Sequence, residues 1–202
     1  MPGKKVVFKF PYTPHLSHYD PKVRDSKTTI IFPPSDTLSN SQLICEAAAA
    51  SPIAEIGDIH IPTSHPTRKP PLLHFGWPFN EEALLKWGSE NGIEIIGSPF
   101  DPERSLVGNP DPLSCVLTGA ALKTLAEKAG TPHFQPMFKI SLCTKEHYLI
   151  AISSNYRFLK DRKTVQPSHI ETFYHYLKEQ GIVSGPPAWY LDYEDFRWRR
   201  VY

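Results

Sequence analysis

Proline is the residue that most limits what this chain can become. Its ring holds φ at about −65° and removes the backbone N–H, which confines it to turns, strand edges and the first turn of a helix. The chain of 202 residues carries 21 prolines, 12 of them among the first 80 residues, against a usual share of about 5%. From Pro62 to Pro71, with Pro66 and Pro70 in between, a helix is impossible. That stretch is expected as an extended linker or as a loop pinned to the surface, and the N-terminal portion as a whole is expected to be loop-rich.

Where proline thins out, periodic patterns emerge. Val6, Phe8 and Phe10 alternate as in a strand, and Thr28 to Phe32 is a β-branched run stopped by Pro33 and Pro34. Ser39 and Gln42 form a capping box for a helix that places Leu43, Ile44 and Ala47 on one face and ends near Ser51 and Pro52. Ile53 to Ile61 is a mixed strand pattern. Asn80 caps a helix with Glu81 and Glu82 in its first turn and Asn91-Gly92 at its end, and Ile93 to Ile96 follows as a buried strand.

The remaining elements are marked most clearly. Asp111 caps a helix with Pro112 at its first position, Leu113, Val116, Leu117, Ala120, Ala121 and Leu125 along it, and Gly130 beyond its end. Met137 to Cys143 and His147 to Ser153 read as a hairpin turning at Thr144-Lys145-Glu146. Ser168 and Glu171 make a capping box for a last helix, with Ile170, Phe173, Tyr174 and Leu177 on one face and Gly181 to stop it. The expected fold class is α+β: one compact domain spanning 1–202, an antiparallel hairpin or sheet packed on three to four helices. Within it, 1–79 stands apart as a loop-rich subregion and 80–202 as the core.

Bulk charge names no partner. The 22 Lys and Arg balance 21 Asp and Glu to a net charge of +1, which argues against a nucleic-acid footprint. Cys45, Cys115 and Cys143 are an odd, widely spaced set without a Cys-x-x-Cys pair, so neither a disulfide framework nor a structural zinc site is expected. The first ten residues are interrupted by Lys9 and then Pro11, which excludes a secretory apolar core, and no apolar run approaches the ~18 residues of a membrane span. A cytoplasmic or nuclear protein without membrane contact is expected.

Nine histidines draw attention because imidazole titrates near neutrality. His15, His18 and Asp20 could offer two nitrogens and an oxygen to a divalent ion, but that spacing is permissive, a solvated loop pair explains it, and no metal is expected. His74 opens the run Phe75-Gly76-Trp77-Pro78-Phe79, in which Phe75, Trp77 and Phe79 either wedge the chain into the core or give a pocket flat walls. The wedge is favoured. His169 and His175 fall on different sides of their helix and read as separate residues. No Gly-x-Ser-x-Gly elbow, Ser-x-x-Lys pair or phosphate-cradling glycine loop occurs, so covalent catalysis is disfavoured and no cofactor is implied.

The tail is the densest chemical constellation. Trp189, Tyr190, Tyr193 and Trp198 stand among Asp192, Glu194 and arginines. In an extended chain Trp189, Leu191 and Tyr193 face one way and Tyr190 and Asp192 the other. A tail docked on the domain with a rim of ion pairs explains the pattern, and Asp192 or Glu194 acting as a general base beside Tyr190 is the sharper alternative. The leading expectation is a non-catalytic binding or interaction protein whose partner is a small apolar or aromatic molecule or another protein, bound by Phe75, Trp77, Phe79, Trp189, Tyr193 and Trp198. The alternative is a cofactor-free enzyme doing acid/base chemistry on such a molecule, with His74, Tyr190, Asp192 and Glu194 as its candidates. Nucleic-acid contact through Arg197, Arg199, Arg200 and Trp198 ranks below both.

Overall fold

The aromatic run from His74 to Pro78 forms the strand around which the rest of the chain is arranged. The computed structural model describes residues 12–13, 40–53, 55–57, 60–62, 68–93, 112–143, 148–196 and 199–200. In chain order these form β1 (Tyr12–Thr13), α1 (Asn40–Ala50), β2 (Ile56–Gly57), β3 (Arg68–Lys69), β4 (Leu73–Pro78), α2 (Glu81–Glu90) and α3 (Pro112–Lys128). They continue with β5 (Met137–Ile140), β6 (Tyr148–Ser154), α4 (Phe158–Thr164), α5 (Pro167–Glu179), β7 (Ala188–Leu191) and β8 (Arg199–Arg200). A four-stranded antiparallel sheet in the order β5-β6-β4-β7 is the centre of a single α+β domain. β1 with β2 and β3 with β8 make two short separate pairs.

Strand β4 lies between β6 and β7, so both of its hydrogen-bonding edges are paired, and Leu73, His74, Phe75, Gly76 and Trp77 are all buried. Its pairing with β6 shifts between Phe75 and Gly76: Phe75 faces Ser153, Gly76 faces Ala151, and Ile152 is the extra residue of a bulge. The backbones approach closely there. A Cβ on Gly76 would fall 2.8 Å from the Ala151 Cα and 2.9 Å from the Ile150 carbonyl carbon, which is why the position holds glycine.

The outer edge of β7 is occupied by two other segments. Ile53 exchanges both backbone hydrogen bonds with Trp189, at 2.7 and 3.2 Å. Leu191 N donates to Ser51 Oγ at 3.3 Å. Beyond β5 the chain leaves β6 and crosses to the same edge, where Leu142 N donates to the Leu191 carbonyl at 2.8 Å and Tyr193 N donates to the Ile140 carbonyl at 3.1 Å. β5 and β7 are therefore tied together at one end of the sheet.

The helices follow their local signals with some differences. Asn80 caps α2, its side chain accepting from Ala83 N at 3.1 Å, and Gly92 and Gly130 take positive φ of 71° and 73° beyond α2 and α3. Among the described residues the buried stripe of α3 is Ala121, Leu122, Leu125 and Ala126, continued by Ala129 just past its end, whereas Ala120, expected inside, is exposed. α1 starts at Asn40 and buries Ala47 but exposes Ile44. α5 begins two residues earlier than its Ser168–Glu171 box implies: Pro167 occupies the first helical position behind Gln166, which makes no side-chain cap bond. Proline there sacrifices no helical bond and has its φ preset, so a hydroxyl cap is dispensable. Its buried face is Ile170, Phe173, Tyr174 and Leu177, as the spacing requires.

α4 has no counterpart in the sequence reading, which brings the described helices to five. It turns on one apolar anchor, Phe158, and on Asp161, a buried carboxylate that accepts from Ser153 Oγ at 2.6 Å and faces Arg157 Nη2 at 3.5 Å. Ile93 lies outside any strand, and the strands expected at 4–10 and 28–32, like residues 94–96 and the hairpin turn 144–147, lie outside the described residues.

The proline stretch is pinned at its C-terminal end. Asn155, buried in the turn after β6, donates from Nδ2 to the carbonyls of His60 at 2.6 Å and Pro71 at 2.9 Å, and accepts at Oδ1 from Leu73 N at 2.9 Å. Tyr156 OH donates to the Pro70 carbonyl at 2.7 Å. Above this frame the main core packs Phe75 at a tilt against Trp189 with ring centres 5.0 Å apart and sets Trp77 edge-on to Phe173 at 5.7 Å. Each such ring contributes roughly 1.5–3 kcal/mol on burial. Among the described residues no helix is long and apolar enough to cross a membrane.

Candidate binding site on the His74 face of the sheet

Alternation along β4 divides its side chains between the two faces of the sheet. Leu73, Phe75 and Trp77 enter the main core, and His74 and Gly76 take the other face. β7 runs antiparallel beside it with Tyr190 directly opposite His74 and Trp189 opposite Phe75. The same alternation sends Trp189 and Leu191 into the core and puts Tyr190 and Asp192 next to His74.

The His74 and Asp192 side chains meet at 2.9 Å, Nε2 to Oδ2. The carboxylate is fixed on its other side as well: Oδ1 accepts from Glu194 N at 2.9 Å and from Asp195 N at 2.8 Å, and Asp192 N donates to the Leu72 carbonyl at 2.9 Å. An acceptor held this firmly selects the proton position on its partner. His74 carries hydrogen on Nε2 and donates it to Asp192, which leaves the Nδ1 lone pair as an acceptor when the ring is neutral. That atom is buried, in a side chain 3% exposed, and has no hydrogen-bond partner among the described residues. A buried polar atom without a partner costs about 1–3 kcal/mol, a cost that a bound donor or an ordered water would relieve.

Small residues adjoin the ring. Gly76, two positions along β4, lies between Ala188 on β7 and Ala151 on β6. Tyr190, Leu149 and Cys143 form a second, smaller apolar cluster with Ala188 packed against it, and Cys143 Sγ donates to the Ser51 carbonyl at 3.3 Å. The face thus presents one oriented imidazole beside a methyl-sized floor and an aromatic neighbour.

Of the residues singled out from the sequence, His74, Tyr190 and Asp192 are brought together. Glu194 is exposed, and only its backbone touches this group. Phe75, Trp77 and Trp189 are enclosed in the main core on the opposite face. Phe79 is half-buried against Phe138 and Tyr148, with ring centres at 6.0 and 6.4 Å, and Tyr193 is 49% exposed. Trp198, His15, His18 and Asp20 lie outside the described residues.

A second pair was invisible in the sequence. His169, read there only as separate from His175, meets His133 from the turn after α3, Nε2 of His133 to Nδ1 of His169 at 2.8 Å. Partial withdrawal from water and, after it, the charge of His169 hold His133 below the ordinary imidazole range. Comparison of the chain with protein-family models, with curated proteins and with solved structures gives no match.

Proposed function

We propose that the protein binds a small molecule with a flat apolar or aromatic body and a single hydroxyl or N–H group, which it receives at His74 Nδ1. The observation that carries this reading is the buried Nδ1, unpartnered among the described residues, whose lone pair is oriented by Asp192. Such a site gains little from the ligand's apolar surface unless the donor is also present, because only the donor relieves the buried acceptor. The test is a panel of phenol, indole and toluene, followed by melting temperature and by the imidazole ¹⁵N resonances of the histidines. Phenol or indole at 100 times its dissociation constant should add about 2.7 kcal/mol of stability and move the His74 Nδ1 resonance, while toluene should leave that resonance in place. Equal behaviour of phenol and toluene, or a silent Nδ1, rejects the reading.

One observation favours a second reading of the same residues. An imidazole with a carboxylate on one nitrogen and a free lone pair on the other is the arrangement of a general base, in which Asp192 stabilises the imidazolium formed as His74 takes a proton. Turnover of a bound compound that falls in Asp192→Asn by more than its binding weakens would promote catalysis over binding.

A further inference from the structure

The contact between His133 and His169 fits a hydrogen bond only in a bent form. Their facing nitrogens are 2.8 Å apart and their ring centres only 4.1 Å apart. A linear N–H···N bond of that length would separate the ring centres by about 5 Å. Two imidazoles that each aim a nitrogen at one ion from about 2.0–2.1 Å, at a right angle, have nitrogens about 2.9 Å apart and centres about 4.4 Å apart. The observed pair, with centres 4.1 Å apart, falls short of both and lies nearer the second.

The two rings are held from separate elements. His133 belongs to the turn that Thr131 secures to α3, through Thr131 N to the Ala126 carbonyl at 2.8 Å and Phe134 N to the Thr131 carbonyl at 2.9 Å. Its neighbour Phe134 is buried edge-on to Phe173 at 5.6 Å and touches both imidazoles, at 5.3 Å from His133 and 6.2 Å from His169. His169 lies in the first turn of α5, its N–H donating to the Gln166 carbonyl at 3.0 Å. A phenyl ring rooted in the core therefore serves as the spacer for both ligands, and His133 remains open to solvent.

We infer that His133 and His169 are a chelating pair for a divalent transition-metal ion that prefers tetragonal coordination, Cu²⁺ foremost. Right-angled nitrogen donors suit Cu²⁺ and Ni²⁺, and Cu²⁺ heads the affinity order among first-row divalent ions. Among the described residues no group of three metal-ligating side chains occurs, so the remaining positions fall to water, or to an exogenous ligand that the ion would then carry.

The experiment adds Cu²⁺ to the full-length chain and records affinity by calorimetry and donor number by electron paramagnetic resonance. One tight ion per chain with two nitrogen donors is expected. His133→Ala and His169→Ala should each weaken it at least about tenfold, since altering even the groups behind a ligand costs about 10–100-fold, and His15→Ala/His18→Ala should leave it unchanged. Circular dichroism confirms that each variant is folded, and His133→Gln, at an exposed position, serves as a second variant. A tight site that survives both single substitutions, that vanishes with His15 and His18, that shows one nitrogen, or that never forms overturns the assignment.

Discussion

Asn155 shows how much of this structure can rest on one side chain. Its amide joins three pieces of backbone, at His60, Pro71 and Leu73, and all three bonds are buried. Removing it strands two carbonyls and an N–H that the proline-rich stretch cannot satisfy internally, because Pro70 and Pro71 have no N–H to offer. Asn155→Ala is expected to cost about 2–4 kcal/mol, seen as a lower urea midpoint at unchanged slope; a loss under about 0.5 kcal/mol would show that water replaces the amide. Gly76→Ala should be similarly costly, on the order of 1–3 kcal/mol from overpacking, because the atoms it meets are backbone. The same measurement applies, and a neutral result would mean that the bulge relaxes. Neither role is legible in the sequence. Asn155 sits in an unremarkable Ser-Asn-Tyr turn, and the Asp192 that orients His74 is 118 residues away from it, a distance over which no spacing rule operates.

At the scale of elements, β7 is the clearest case of a local pattern with a global effect. Trp189 is fully enclosed, pairs with Phe75 and stands edge-on to Phe158 with ring centres 6.2 Å apart. Trp189→Ala is expected to cost about 3–5 kcal/mol, and deleting 188–202 should lower the denaturation midpoint of the whole domain, because it strips β4 of one partner strand. An unaltered midpoint after truncation would instead describe a tail held for another molecule. The extended alternation of 189–192 was readable, and so were α2, α3 and α5, since a cap, a 3.6-residue period and a terminal glycine are all local signals. α4 was not: seven residues with one buried apolar side chain carry no period, and its placement follows from Asp161 finding Ser153. The strand order was equally hidden. It depends on which ladders coexist across the whole fold, and the sequence marks strands without marking their neighbours.

For the whole molecule, the position of β4 decides what can fold alone. A division at residue 79 follows composition, yet Ala47, Ile56, Ile61, Leu73, Phe75 and Trp77 all belong to the main core. A fragment spanning 80–202 lacks the strand that both β6 and β7 pair with, and it is expected to remain without cooperative unfolding or dispersed amide resonances; a folded fragment would refute this. In the full chain, near- and far-ultraviolet dichroism should melt together, as one core demands.

That topology also sets a schedule for biosynthesis. β4 leaves the ribosome well before either of its neighbours, and the bond between His74 and Asp192 must wait for 118 further residues, on the order of 6–24 s at synthesis rates of about 5–20 residues per second. For that interval Phe75 and Trp77 travel on a nascent chain with no sheet to enter. Chaperone occupancy on translating ribosomes should therefore begin near the emergence of β4 and end only when the last strand clears the exit tunnel.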